Sequence, residues 1–390
     1  MFVARSASRA PLALLPLLLL LLSPLSTLEA QEVDPHMETA LRVLTTTPLI
    51  DGHNDLPWQI RLNEDAPMDV RAYGVEGREG GHTDIPRLRE GRVGGQFWSI
   101  YVPSSAMETG AARFQLEQFD IAHRLLEEFP EHLGLALTAE DVMRVFHEGR
   151  IASILGMEGG HAIENSLGAL RSYYDLGARY MTLTHSADLD WAGAATLEPG
   201  APGLTEFGRE VVREMNWLGM LVDISHVSDQ TMSDVLDVSQ APVIFSHSSV
   251  RALHEHQRNV PDHILERLPE NGGVIMITYV PGFLTDAETA TIDDVIAHIE
   301  HARDVAGVDY VGIGADYDGI TSIPEGLEDV STYPALFAEL SRRGWSEGDL
   351  RKLAGENVLR VMRDAEAVSR QLQQERGPSH ATIEELDGTE

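Results

Sequence analysis

Cysteine is absent from the 390 residues, and Lys352 is the only lysine. The first absence excludes disulfides, thiolate metal sites and cysteine nucleophiles together. The second leaves arginine as nearly the whole cationic complement. Positive charge is scarce altogether, with Lys+Arg 29 against Asp+Glu 62 and a formal net charge of −33. A field of that sign repels phosphate backbones and anionic lipid heads, so no nucleic acid partner is expected. Solubility, or a salt-adapted surface, accounts for the charge without any acidic-partner function. Hydrophobic residues make up 43%, which is ordinary globular usage and excludes a mainly disordered polymer. The length suits two medium domains or one large α/β barrel.

The one long apolar run lies at the N-terminus. Residues 1–30 have the layout of a secretory signal peptide. Arg5 and Arg9 precede the apolar stretch Leu12–Leu22, Pro24 ends it, and Ala30 suits the position before cleavage. Leu28 is larger than the residue usual two places earlier. A core of about 11 residues falls short of the ~20 needed to span a bilayer, which favours removal over a membrane anchor. No lipobox cysteine and no second apolar run follow, so no stable membrane anchor is expected in the mature chain. The mature protein is expected to be secreted or periplasmic. Residues 31–370 read as one domain, and residues 371–390, with Gly377-Pro378, as an acidic flexible tail.

Between those ends, short apolar segments alternate with helical ones. Strands are predicted at Pro48–His53, Gly94–Val102, Ile151–Glu158, Tyr180–His185, Met220–His226, Pro242–His247, Gly273–Thr278 and Tyr310–Asp316. They are β-branched and apolar on both faces, as strands covered on two sides should be. Helices are predicted at Arg113–Phe129, Ala139–Glu148, Ser166–Leu176, Thr205–Leu218, Asp229–Val238, Pro261–Glu270 and Asp293–Ala306, after a short one near Met37–Thr45. Thr138, Ser228 and Thr291 stand where helices should start, and Gly177, Gly219 and Gly307 where they should stop. This order predicts a single (β/α)8 TIM-type barrel with its site at the C-terminal ends of the strands. A doubly wound open sheet would carry a Gly-rich phosphate turn after the first strand, and none is present.

Polar residues recur at those strand ends. The predicted strands run into D-G-H-N-D (His53, Asp55), G-M-E-G-G-H (Glu158), L-T-H-S (His185), D-I-S-H (His226), F-S-H-S (His247) and G-A-D-Y-D-G (Asp316, Asp318). One such histidine is most often a hydrogen-bonded strand-edge residue. Packing gives no reason to gather four histidines and four acids at one end of six strands. His53 and Asp55 are two apart, so an extended strand turns both to one face and toward one ion. Imidazole nitrogen with carboxylate oxygen suits zinc or a similar divalent metal. Glu158, His226 and His247 can hold a second ion, with the Glu158 carboxylate shared and a hydroxide clamped between the two ions. A carbamylated-lysine bridge is excluded, because Lys352 lies in a late helix.

The motifs D-G-H-N-D-L-P-W, M-E-G-G-H, L-T-H-S, D-I-S-H-V-S, F-S-H-S-S, R-N-V-P-D and G-A-D-Y-D-G resemble those of the membrane (renal-type) dipeptidases, peptidase family M19. The resemblance runs from about Thr47 to about Arg363 and is that of a secreted bacterial-type member. It implies a barrel with a binuclear zinc centre that hydrolyses dipeptides. By that resemblance His53 and Asp55 hold one zinc, His226 and His247 the other, and Glu158 bridges them. His185 matches the histidine that contacts substrate and its tetrahedral intermediate. Arg258 matches the arginine near the substrate's terminal carboxylate, and Asp316 the acid that handles the proton. A homodimer is also implied, necessarily non-covalent here, and tolerance of a D-residue at the C-terminal position.

The chemistry is consistent with those roles. A bridging hydroxide attacks the scissile carbonyl, His185 stabilises the oxyanion, and Asp316 carries the proton to the leaving amine. Asp318, followed by Gly319, reads instead as a structural acid. Arg258 can clamp a carboxylate with two parallel hydrogen bonds, though a surface salt bridge would use the same residue. Trp58 walls the pocket or packs in the core. Other readings are a binuclear hydrolase of other amides or lactones, and a non-catalytic metal-binding relative. Serine catalysis at Ser248 or Ser249 lacks the G-x-S-x-G turn.

Overall fold

Every strand position read from the sequence is occupied by a strand in the computed structural model, which describes residues 1–3, 34–196 and 200–388. The predicted signal peptide lies almost wholly outside the described residues. The strands are β1 (Leu49–Asn54), β2 (Val93–Tyr101), β3 (Leu133–Leu135), β4 (Ile151–Glu158), β5 (Ala178–Thr182), β6 (Leu221–Asp223), β7 (Ile244–Ser248), β8 (Val274–Ile277) and β9 (Val311–Ile313). All pair in parallel. The order β2-β1-β9-β8-β7-β6-β5-β4 closes on itself through β2–β4, giving the expected eight-stranded barrel. β3 is an addition, pairing only the first three residues of β4. Three residues carry too little pattern to be seen in a sequence.

Several strands stop earlier than predicted, and the reason lies in the site. His226 and Asp316 have φ of 65° and 68°, in the left-handed region. That conformation costs an L-residue roughly 1–2 kcal/mol and cannot continue a strand. β6 therefore ends at Asp223 and β9 at Ile313, and the chain turns to face the barrel axis with a ligand-type side chain. A second difference is the predicted helix Pro261–Glu270, which is two short helices, Asp262–Leu265 and Leu268–Asn271. Pro269 supplies no N–H for the Leu265 carbonyl and its ring crowds that carbonyl, so the first helix stops at Leu265.

The predicted capping residues act as caps. Thr138 accepts from Asp141 N, Ser228 from Thr231 N, and Thr291 forms a reciprocal box with Asp294. Three C-terminal helices, Tyr333–Arg342, Glu347–Arg351 and Asn357–Glu375, follow the last strand. Gln371 to Glu375 continue the last of these. Beyond it, Arg376 and Ser379 N meet the buried Glu214 at 3.2 and 3.0 Å, and Asp387 accepts from Thr205 and Phe207 N at the start of helix Glu206–Leu218. Lys352 pairs with Asp309 at 2.6 Å, at the N-terminal end of β9 and so opposite the site. Among the described residues no helix is long and apolar enough to cross a membrane.

Candidate active site

At the C-terminal ends of the strands, the side chains singled out in the sequence meet. Glu158, the last residue of β4, is buried at the centre. Its Oε2 lies 3.4 Å from His53 Nε2 and accepts from Ser99 Oγ at 3.1 Å. Its Oε1 lies 3.1 Å from His226 Nε2, 3.5 Å from His247 Nε2 and 3.8 Å from His185 Nε2. The two oxygens thus serve two different groups of nitrogens. His53 Nε2 is also 3.2 Å from Asp55 Oδ2 and 4.0 Å from Asp316 Oδ1.

The imidazoles are oriented from behind. Ser246 donates its hydroxyl proton to Asp223 Oδ2 at 2.6 Å. Its oxygen can then only accept from His247 Nδ1, 2.8 Å away. His247 is left with a bare Nε2 lone pair aimed into the site. His53 Nδ1 contacts the Tyr180 hydroxyl at 2.9 Å. The Tyr180 ring fits because position 156 on β4 is glycine: a Cβ there would lie 2.1 Å from the ring. Asp51 ties β1 to its neighbours by accepting from His53 N, Ala315 N and the Tyr333 hydroxyl. Such supports fix the tautomer and direction of a metal-ligating histidine.

The electrostatics of His226, His247 and Glu158 agree with a metal-binding role. Burial pushes the His226 and His247 imidazoles well below their usual range, and the Arg258 charge adds to it. Both are neutral at pH 7 and can offer lone pairs. Burial opposes ionisation of Glu158, but His53, His226 and His185 overcome it and hold the carboxyl well below its usual range. Burial pushes Asp316 well above its ordinary value, helped by Asp55 and Glu158 and opposed by His53 and Arg258. The donor set fits divalent metal on a direct observation: His53 Nε2 is buried, without a hydrogen-bond partner, and points at two carboxylates. A buried polar atom left that way is costly unless something else occupies its lone pair. Three overlapping triads have their ligand atoms within 4.8 Å: His53/Asp55/Asp316, His53/Glu158/His247 and Glu158/His185/His226. By geometry alone, His185 and Asp316 are as well placed to hold a metal as His53, Asp55, Glu158, His226 and His247.

Above this floor opens a cavity of about 340 Å³. Arg258 lines it, buried, with Nη2 donating to His247 O at 2.9 Å and Nη1 to Ser248 Oγ at 3.2 Å. Its Nε has no partner, and burial draws its pKa down to about 10, so it stays charged. Trp58 lines the cavity too, edge-on to Tyr101 at 5.0 Å, so it walls the pocket. Asp318 is indeed structural: its Oδ1 accepts from His82 N at 2.9 Å, and its own N–H donates to His82 Nδ1 at 2.9 Å. Sequence reasoning missed Ser99 and Tyr101, which share one face of β2 by the period of two. It also missed Asp223, Ser246, Tyr180, Val280, Phe283, Gly319 and Ile320.

Known metallopeptidases share the fold and part of the sequence. A structure of "dipeptidase AC", a family M19 metallopeptidase, is 30% identical, with 82% of this chain and 99% of that one covered and a TM-score of 0.74. A metallopeptidase from Rhodobacter sphaeroides, solved with a phosphinate mimic of the dipeptide L-Ala-D-Ala, is 28% identical, with 82% and 99% covered and a TM-score of 0.74. The probable dipeptidase PvdM from Pseudomonas aeruginosa, 22% identical with 85% and 99% covered, shares the fold at a TM-score of 0.77. The sequence profile of the membrane dipeptidases matches residues 37–376. With that span matched, the chain belongs to the membrane dipeptidase family, peptidase family M19, and is a metal-dependent dipeptidase.

Proposed function

We propose that this chain hydrolyses dipeptides with two zinc ions held by His53, Asp55, Glu158, His226 and His247. The observation that carries the reading is the division of Glu158, one oxygen toward His53 and the other toward His226 and His247. When bound, such a pair of ions supplies a hydroxide nucleophile at neutral pH and polarises the scissile carbonyl. The chain's own residues do the rest. Asp316 takes the proton of the attacking water on a carboxylate oxygen and returns it to the leaving nitrogen. His185, a half-exposed neutral imidazole beside Glu158, donates an N–H to the developing oxyanion. Arg258 turns its free N–H groups to the substrate's terminal carboxylate.

The length of the substrate follows from two features. A carboxylate on Arg258 puts the scissile bond one residue away, over the Glu158 floor. The cavity of about 340 Å³ sits at the small end of the ~300–1,000 Å³ typical of ligand pockets, leaving room for one residue on the amino side. The relative solved with an L-Ala-D-Ala mimic supports acceptance of a D-residue at the C-terminal position here.

Steady-state kinetics on dipeptides, tripeptides and C-terminally amidated dipeptides test the reading. Free dipeptides should be the good substrates. Arg258→Lys should raise KM more than it lowers kcat, because a point charge replaces a planar fork that binds ground and transition states alike. Amidated dipeptides cleaved as fast as free ones would remove Arg258 from this role.

A further inference from the structure

Part of the cavity wall has no role in metal binding or proton transfer. Val280, Phe283 and Ile320 line it, each half-buried, from the segments that follow β8 and β9. Phe283 is held in a fixed relation to Arg258. Asn259, the next residue along from Arg258, donates Nδ2 to Phe283 O at 2.7 Å. The His256 ring lies 4.3 Å from the Phe283 ring, and the Arg258 guanidinium carbon 5.4 Å from its centroid. Phe283 N in turn donates to Val280 O at 2.9 Å, so the two apolar side chains belong to one turn.

We infer that Phe283 and Val280 form the subsite for the side chain of the C-terminal residue, and that the enzyme selects dipeptides carrying an uncharged, apolar residue there. The inference rests on the reading of Arg258 given above. A carboxylate on the guanidinium places the adjoining Cα one bond further out. Its side chain then lies against the Phe283 ring. Among the described residues Arg258 is the only lysine or arginine lining the cavity, and on the reading above the substrate's main-chain carboxylate engages it. The lining carboxylates Asp55, Glu158 and Asp316 belong to the metal and proton chemistry. A charged side chain would therefore lose water without gaining a partner, whereas an apolar one removes its surface and that of Phe283 from water together. One methylene in an apolar pocket separates substrates by roughly 10–200-fold, so Ala-Leu should exceed Ala-Gly in kcat/KM by at least tenfold.

The test is a panel of Ala-Gly, Ala-Leu, Ala-Phe, Ala-Glu and Ala-Lys with the zinc-loaded full chain. Ala-Leu and Ala-Phe should lead Ala-Glu and Ala-Lys by tenfold or more. Phe283→Ala should bring the Ala-Leu to Ala-Gly ratio toward one, chiefly through KM, with zinc content unchanged. Val280→Thr, nearly the same shape but polar, should move the ratio the same way and serves if Phe283→Ala folds poorly. Equal turnover of Ala-Leu and Ala-Glu, or a ratio unmoved in both variants, overturns the inference while the dipeptidase reading stands. Failure to cleave any of the five overturns both.

Discussion

Glu158→Gln should strip the protein of its bound metal and abolish turnover. The amide keeps the shape of the side chain but turns one oxygen into an N–H donor. Whichever way it sits, either His53 Nε2 or the His226 and His247 pair then faces a group that cannot hold a cation. The remaining oxygen has lost its negative charge, which matters beside the buried His53, Asp55 and His247. Losing a single preorganised electrostatic contact commonly costs about 10²–10³ in kcat. With two ions on Glu158, as proposed, contacts to both go together, so kcat/KM should fall by at least ~10³. Metal analysis beside kinetics checks it, with thermal unfolding as a control for the fold. A variant that retains two zinc equivalents and most of its activity would remove Glu158 from the centre of the site.

Asp316→Asn should separate proton transfer from metal binding. Asp316 sits 4.0 Å from His53 Nε2 and shares a triad with His53 and Asp55, so a ligand role is geometrically open to it. Its environment argues for the proton instead. Burial and the negative charge of Asp55 and Glu158 raise the carboxylate's affinity for a proton, so it can take one from water and later pass it on. General acid–base groups contribute roughly 10²–10⁴-fold, so kcat should fall by about that factor with KM little changed. Zinc content should stay at the wild-type value. A lost zinc equivalent would make Asp316 a ligand, and unchanged kcat would move the proton to another group.

The barrel and the histidines and carboxylates gathered at its mouth were legible for the same reason. Strand ends repeat, and histidine and carboxylate are rare enough in apolar segments for six coincidences to stand out. What stayed hidden was whatever carries no chemical label. Val280, Phe283 and Ile320 read as ordinary apolar residues, and only folding shows that they face the cavity. Gly319 reads as a turn former. A Cβ there would come within 2.3 Å of Asp55 Oδ2 and 2.4 Å of Asp316 Oδ1, so its bareness shapes the site. Asp223 stood in the D-I-S-H motif but was overshadowed by His226. Its hold on His247 runs through Ser246, a contact between neighbouring strands that spacing along one strand does not show. The strand boundaries were misplaced at β6 and β9 because His226 and Asp316 adopt left-handed backbone, which no propensity predicts for those residues.

The most direct test of the account is the zinc stoichiometry of the wild-type chain. Purified protein is stripped with chelator, then titrated with zinc while heat and bound metal are both followed. Two equivalents per chain are expected, the second bound with the first in place, because Glu158 turns one oxygen toward His53 and the other toward His226. Saturation at one equivalent or fewer, with full dipeptide turnover at that loading, would contradict a shared carboxylate between two ions.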